Sequence, residues 1–249
     1  MIIVLIAFAV LLGAAAAIPP SPDGTIVWQA GSPTMGRWVV ANTYQCGIPV
    51  VSGARFTFAL TQKDTSCGRN QANPTTVSGD LVRLSDGATY MWRFRFIDGV
   101  ASAGSGGMGP DSGPNPEALI WQIHGYREPD TPCTSLNFAN GAYYAGQMPG
   151  QEWAFMTCRG AVWFGRYLPG EQDDWKIVAT ISASTSGETK LFRNGVLVVD
   201  DRGANYHHSM GDPWWNFGPY KWRWELPNGG GSRLTQVSAT IDQMVLTRL

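Results

Sequence analysis

The chain has 249 residues, 44% of them hydrophobic and 15% charged, with 30 Gly, 16 Pro and 11 Trp. A chain of this length and apolar content buries its own core, which excludes intrinsic disorder, a coiled coil and a small disulfide scaffold. The formal net charge is −1, so nothing draws the whole molecule to nucleic acid, and an anionic ligand must be met by local cations.

In chain order, Ile2 to Leu12 is an apolar run followed by Gly13 and Ala14 to Ala17, which reads as a secretory signal peptide over residues 1–17. The basic residues that usually precede such a run are absent, the first cation being Arg37, so an uncleaved anchor is the alternative. No later stretch is long and apolar enough to span a bilayer. Residues 18–249 are therefore expected to form one exported, monomeric domain with no membrane insertion after cleavage. Cys46, Cys67, Cys133 and Cys158 lie far apart, which fits two disulfides in an oxidising compartment better than a zinc knuckle. Cys46–Cys67 with Cys133–Cys158 is the pairing that closes the shortest loops.

Strand signals recur while no long segment shows a helical apolar period. Strands are predicted over residues 25–29, 37–41, 54–60, 80–84, 89–97, 118–124, 153–157, 161–168, 175–183, 189–193, 196–200, 218–224 and 234–249. Asn194-Gly195 supplies the two positive-φ residues of a type I′ hairpin turn. A dozen or so short strands without a fixed repeat predict an all-β chain folded as a two-sheet sandwich or jelly roll.

The polar residues of these strands are the candidates for chemistry. In Leu119-Ile-Trp-Gln-Ile-His-Gly125, alternation puts Leu119, Trp121 and Ile123 on one face and Ile120, Gln122 and His124 on the other. A Gln beside a His describes either a polar cleft or a hydrogen-bonded structural histidine, and periodicity alone favours the latter. His207 and His208 read as loop residues rather than metal ligands. In Gly218-Pro-Tyr-Lys-Trp-Arg-Trp-Glu225, alternation separates Lys221, Arg223 and Glu225 from Tyr220, Trp222 and Trp224. In residues 91–96 it separates Arg93 and Arg95 from Trp92, Phe94 and Phe96. Arg69 and Gln71 fall in a loop. Trp92, Trp121, Trp222 and Trp224 are expected between the sheets, whereas Trp214 and Trp215 are expected in a loop at a rim beside the polar face.

Gln122-Ile-His124-Gly125 after Trp121, then Trp175 opening a strand, the Asn194-Gly195 hairpin, and Gly218-Pro-Tyr-Lys221, in this order, resemble the β-jelly-roll polysaccharide lyases, the group of heparin lyase I, glucuronan lyase and alginate lyase. The resemblance implies a concanavalin A-like sandwich of two antiparallel sheets and β-elimination of a uronic-acid-containing polysaccharide. In that group a Gln-x-His strand and a Tyr-x-Lys-x-Gly-x-Tyr strand line one sheet face. Carried over, Gln122 and His124 match the first strand and Lys221 matches the Lys of the second. Elimination needs the uronate carboxylate neutralised, a base for the C5 proton and an acid for the departing O4. Gln122 with Arg69, Arg93 or Arg95 would serve the first role and His124 the second, with Lys221, Arg223, Gln71, Trp214 and Trp215 binding substrate. The catalytic tyrosine, four residues after the Lys, is replaced by Glu225. Either Glu225 is the acid, or a tyrosine comes from elsewhere (Tyr126, Tyr143, Tyr144, or Tyr220 if a bulge shifts its register), or activity is lost. No cofactor is required; the resemblance allows a structural calcium, although Asp173-Asp174 and Asp200-Asp201 are equally well explained as turn residues. The rival reading is a non-catalytic carbohydrate-binding sandwich. A glycoside hydrolase is disfavoured because only 6 Glu are present and no strand pairs its carboxylates in the required way.

Overall fold

The computed structural model describes residues 24–40, 48–61, 72–103, 118–124, 133–140, 151–167, 172–207, 211–220 and 234–249. The strands are β1 (Thr25–Gln29), β2 (Trp38–Val40), β3 (Val50–Ser52), β4 (Arg55–Thr61), β5 (Ala72–Pro74), β6 (Thr89–Ala103), β7 (Ala118–His124) and β8 (Thr134–Asn140). They continue with β9 (Gln151–Thr157), β10 (Gly160–Tyr167), β11 (Gln172–Thr180), β12 (Glu188–Arg193), β13 (Val196–Arg202), β14 (Trp214–Tyr220) and β15 (Leu234–Arg248). An eight-stranded sheet has the order β13-β12-β11-β6-β15-β4-β3, with β1 also paired to β15. A seven-stranded sheet has the order β10-β9-β8-β7-β14-β5-β2. All pairings are antiparallel, and the chain passes repeatedly from one sheet to the other, as a jelly roll requires.

Alternation explains why the sheets stack. Strand β6 turns Trp92, Phe94 and Phe96 inward, β7 turns Trp121 and Ile123, β11 turns Trp175 and Ile177, and all are buried in one apolar cluster. Aromatic rings carry the contact between sheets: Trp92 meets Trp121 edge-on at 5.1 Å, Trp153 meets Trp175 at 4.7 Å, and Phe56 meets Phe217 at 4.9 Å. Each such side chain contributes about 1.5–3 kcal/mol by leaving water. Trp92 and Trp121 thus fill the interior as predicted; Trp222 and Trp224 lie outside the described residues.

Trp214 and Trp215 are not loop residues. They open β14, and Trp215 is 1% exposed, packed edge-on against Trp28 at 5.5 Å, so it belongs to the core and not to a rim. The Asp pairs are not turns either. Asp173 lies on β11, 1% exposed, and its two oxygens accept from Arg193 Nε (2.7 Å) and Nη2 (3.0 Å), Asn194 Nδ2 (3.0 Å) and Trp153 Nε1 (3.1 Å). Because Trp153 sits on β9, this carboxylate also links the two sheets. Asp174 pairs with Arg95 and Asp201, on β13, with Arg159. Asn194 (φ 51°) and Gly195 (φ 83°) make the anticipated hairpin turn between β12 and β13.

Three strands have no counterpart in the sequence reading: β3, β5 and β8. Residues 80–84, expected as a strand, form only single bridges, Leu81 to Thr75 and Arg83 to Trp214. The Cys133–Cys158 disulfide is present, as an oxidising compartment permits. Cys46, Cys67 and the apolar run at residues 1–17 lie outside the described residues. Among the described residues no helix is long and apolar enough to cross a membrane.

Candidate active site

The seven-stranded sheet turns Trp121, Ile123, Leu136, Phe155, Trp215 and Phe217 toward the core, so the residues between them form its outward face. Strand register arranges that face in rows. In the middle row Asn216 (β14) is opposite Gln122 (β7), which is opposite Ser135 (β8) and then Met156 (β9). Asn73 on β5 extends the row, since its neighbour Ala72 is opposite Phe217. On one side of this row Arg83 is bridged to Trp214, which is opposite His124, with the two rings 5.2 Å apart. On the other side Tyr220, Leu119, Asn137, Ala154 and Trp163 follow one another across five strands.

A register shift between Leu119 and Trp121 corrects the expected alternation. Ile120 enters the core cluster, and Leu119 shares the outward face with Asn137 instead of following Trp121 inward. On β14 the matching irregularity falls between Phe217 and Tyr220, where Gly218 adopts φ 102°, a left-handed conformation that a side chain would strain. Tyr220 consequently stands on the face that carries Gln122 and Asn216.

Gln122 is 2% and Asn216 1% exposed, His124, Trp214 and Tyr220 are half-buried, and Arg83 is exposed. Asn137 Nδ2 donates to Ser135 O (3.1 Å) and Oγ (2.9 Å). The buried oxygens Asn73 Oδ1, Gln122 Oε1 and Asn137 Oδ1 accept no hydrogen bond among the described residues. Each such oxygen costs about 1–3 kcal/mol. Hydroxyl donors of a ligand would relieve that cost, and the amide N–H groups beside them suit a carboxylate.

No family model matches this sequence, and no curated protein matches it. Solved structures do match. A marine PL7 alginate lyase from Zobellia galactanivorans superposes with a TM-score of 0.55 at 13% identity, covering 82% of this chain and 81% of that one. An endo-β-1,4-glucuronan lyase from the fungus Trichoderma reesei gives 0.50 at 11%, covering 90% and 91%. An alginate lyase solved in complex with an alginate tetrasaccharide gives 0.51 at 11%, covering 90% and 98%. The fold is that of the β-jelly-roll polysaccharide lyases.

Within this lyase fold the structure gathers some predicted residues and separates others. Gln122, His124, Trp214 and Tyr220 share one face. Arg93 and Arg95 do not: they are on β6 of the other sheet and point away from the core, so the whole sandwich stands between them and Gln122. Arg95 is held by Asp174 (Nε to Oδ1, 2.7 Å), a hydrogen bond that raises its pKa, while burial lowers that of Arg93. Arg69, Gln71, Lys221, Arg223 and Glu225 lie outside the described residues. The strand beside Gln122 and His124 is Trp214–Tyr220 rather than residues 218–224, and it reads Trp-x-Asn-x-Gly-x-Tyr.

Arg83 is the residue that sequence reasoning missed. Its signal was present, because Val82 and Leu84 are buried and Arg83 between them is exposed, but nothing local says that this segment touches Trp214. As for metals, the one group of ligand atoms close enough to hold an ion among the described residues is Cys133, Cys158 and His207, whose two sulfurs are already bonded to each other. Asp173, Asp174 and Asp201 are engaged by arginines, which gives a cation no acidic cage at those positions.

Proposed function

We propose that the protein is a polysaccharide lyase that cleaves a uronic-acid-containing polysaccharide by β-elimination on the outward face of the seven-stranded sheet. The observation that carries this reading is the buried amide pair Gln122 and Asn216 flanked along the strands by His124 and Tyr220. Aligned by strand position, the lyase motif Tyr-x-Lys-x-Gly-x-Tyr falls on Trp214 to Tyr220. Asn216 stands in the place of the Lys, Gly218 is the glycine, and Tyr220 is the catalytic tyrosine that an alignment on Lys221 would have lost. Gln122 and Asn216 donate to the uronate carboxylate, with Arg83 beside Trp214 supplying positive charge, so that negative charge developing at C5 is stabilised. The His124 imidazole, a side chain suited to general-base work, takes the C5 proton. The C5–H electron pair becomes the C4=C5 double bond, the C4–O4 bond breaks, and Tyr220 gives its proton to O4 before regaining one from solvent. Secretion into the compartment where such polymers occur fits the apolar segment at residues 1–17 and the disulfide, and a monomer is sufficient for the chemistry.

The second reading, a non-catalytic carbohydrate-binding sandwich, is favoured by Asn216, because it removes a cation that the motif places beside the substrate. A panel of glucuronan, alginate, heparin and hyaluronan decides between them through the ultraviolet absorbance of the conjugated unsaturated uronate. Absorbance should rise with at least one polymer, and Tyr220→Phe should reduce that rate about 100-fold or more. Binding without any absorbance change in the wild type would leave the second reading.

A further inference from the structure

Nine tryptophans lie among the described residues. Trp28, Trp92, Trp121, Trp153, Trp175 and Trp215 are buried in the core, and Trp38 packs against it. The remaining two, Trp163 and Trp214, both stand on the outward face of the seven-stranded sheet. Trp214 belongs to the site already described. Trp163 is half-buried on β10, the edge strand, where its cross-strand neighbour is the small, buried Ala154 and the next residue across is the amide Asn137. Immediately after Trp163 the register shifts, and Gly165 adopts φ 66°. Bulges at sheet edges re-aim side chains. A Cβ at Gly165 would also come within 2.9 Å of the Arg193 guanidinium, which reaches across from the other sheet.

We propose that Trp163 is a second sugar-stacking platform, so that one acidic polysaccharide chain crosses the strands from the His124 and Trp214 end of the face to the β10 edge. This rests on the lyase reading and extends it to chain length. From β14 to β10 is four strand spacings, about 19 Å, which is the reach of an oligosaccharide and not of one sugar. An indole offers a broad apolar surface to the C–H face of a pyranose ring. The ligand is one continuous acidic glycan, and the preference it creates is for long chains over short ones.

The test compares Trp163→Ala with its parent, both in a Tyr220→Phe background so that turnover is slow during the measurement, using size series of glucuronan and of alginate from trisaccharide to polymer. Calorimetry and affinity electrophoresis read the binding. Polymer affinity should fall about 3- to 10-fold while trisaccharide affinity stays unchanged, and Trp163→Phe should restore most of the loss. The proposal is overturned if the loss is the same at every length, if there is none, or if Trp163→Ala instead changes the sedimentation coefficient, which would make the ring part of a contact between copies. A wild-type protein that eliminates uronate while Trp163→Ala binds normally refutes the platform alone; a wild type that neither binds nor eliminates refutes both.

Discussion

Replacing Gln122 by methionine separates a catalytic from a structural role for the site. Gln122 is 2% exposed, and its Oε1 accepts no hydrogen bond among the described residues. A buried acceptor left unsatisfied costs about 1–3 kcal/mol, and methionine has nearly the same length without the polar atoms. In the absence of substrate, Gln122→Met should therefore leave stability unchanged or raise it, by about 2–4 °C in melting temperature for each kcal/mol gained. Turnover should move the other way. Removing one preoriented donor from a developing anion costs on the order of 100- to 1,000-fold in kcat. Thermal unfolding followed by circular dichroism and the unsaturated-uronate assay measure both on the same preparation. A variant that loses more than about 2 kcal/mol of stability while keeping its turnover would show that the amide is there to hold the sheet, and the assignment of the site would fail.

Two further outcomes test the scaffold. Asp173→Ala leaves Arg193 without the carboxylate that receives two of its N–H groups and removes the acceptor for Trp153 Nε1, so it should cost about 3 kcal/mol, the low end for a buried pair because Arg193 keeps some exposure. Urea unfolding measures this, and a change below about 1 kcal/mol would contradict the inter-sheet role of the cluster. Tyr206, buried and donating to Asp86 at 3.1 Å, has its phenol pushed up to about 12, first by burial and then by that hydrogen bond and the Asp86 charge. Its folded pKa is above the unfolded value of about 10, so its contribution is complete below pH 10 and is lost as pH rises toward 12. Stability should fall by about 1–2 kcal/mol across that window. Tyr206→Phe should flatten this slope, and an unchanged slope would mean that other groups produce it.

The amino-acid sequence determined the all-β class, most strands, the I′ hairpin and the polar pair Gln122 and His124, because each depends on local alternation or on two adjacent residues with a left-handed preference. β8 was not legible: in Thr134 to Asn140 the outward positions are Ser135 and Asn137, so a strand reads locally as a polar loop. β5 and β3 are three residues each, too short to display a period. What only the tertiary structure decided is which strands become neighbours. Arg93 and Arg95 alternate with aromatic residues just as Gln122 and His124 do, yet they face away on the opposite sheet, since alternation fixes which side of a strand is polar and says nothing about which sheet the strand joins. The same limit hid Arg83, brought to Trp214 by a single bridge, and it hid the pairing of Asn216 with Gln122, which sets the register that puts Tyr220 on the same face and on which the proposed five-residue shift of the motif rests. Register is a long-range property, chosen by the way two sheets bury their rings against each other.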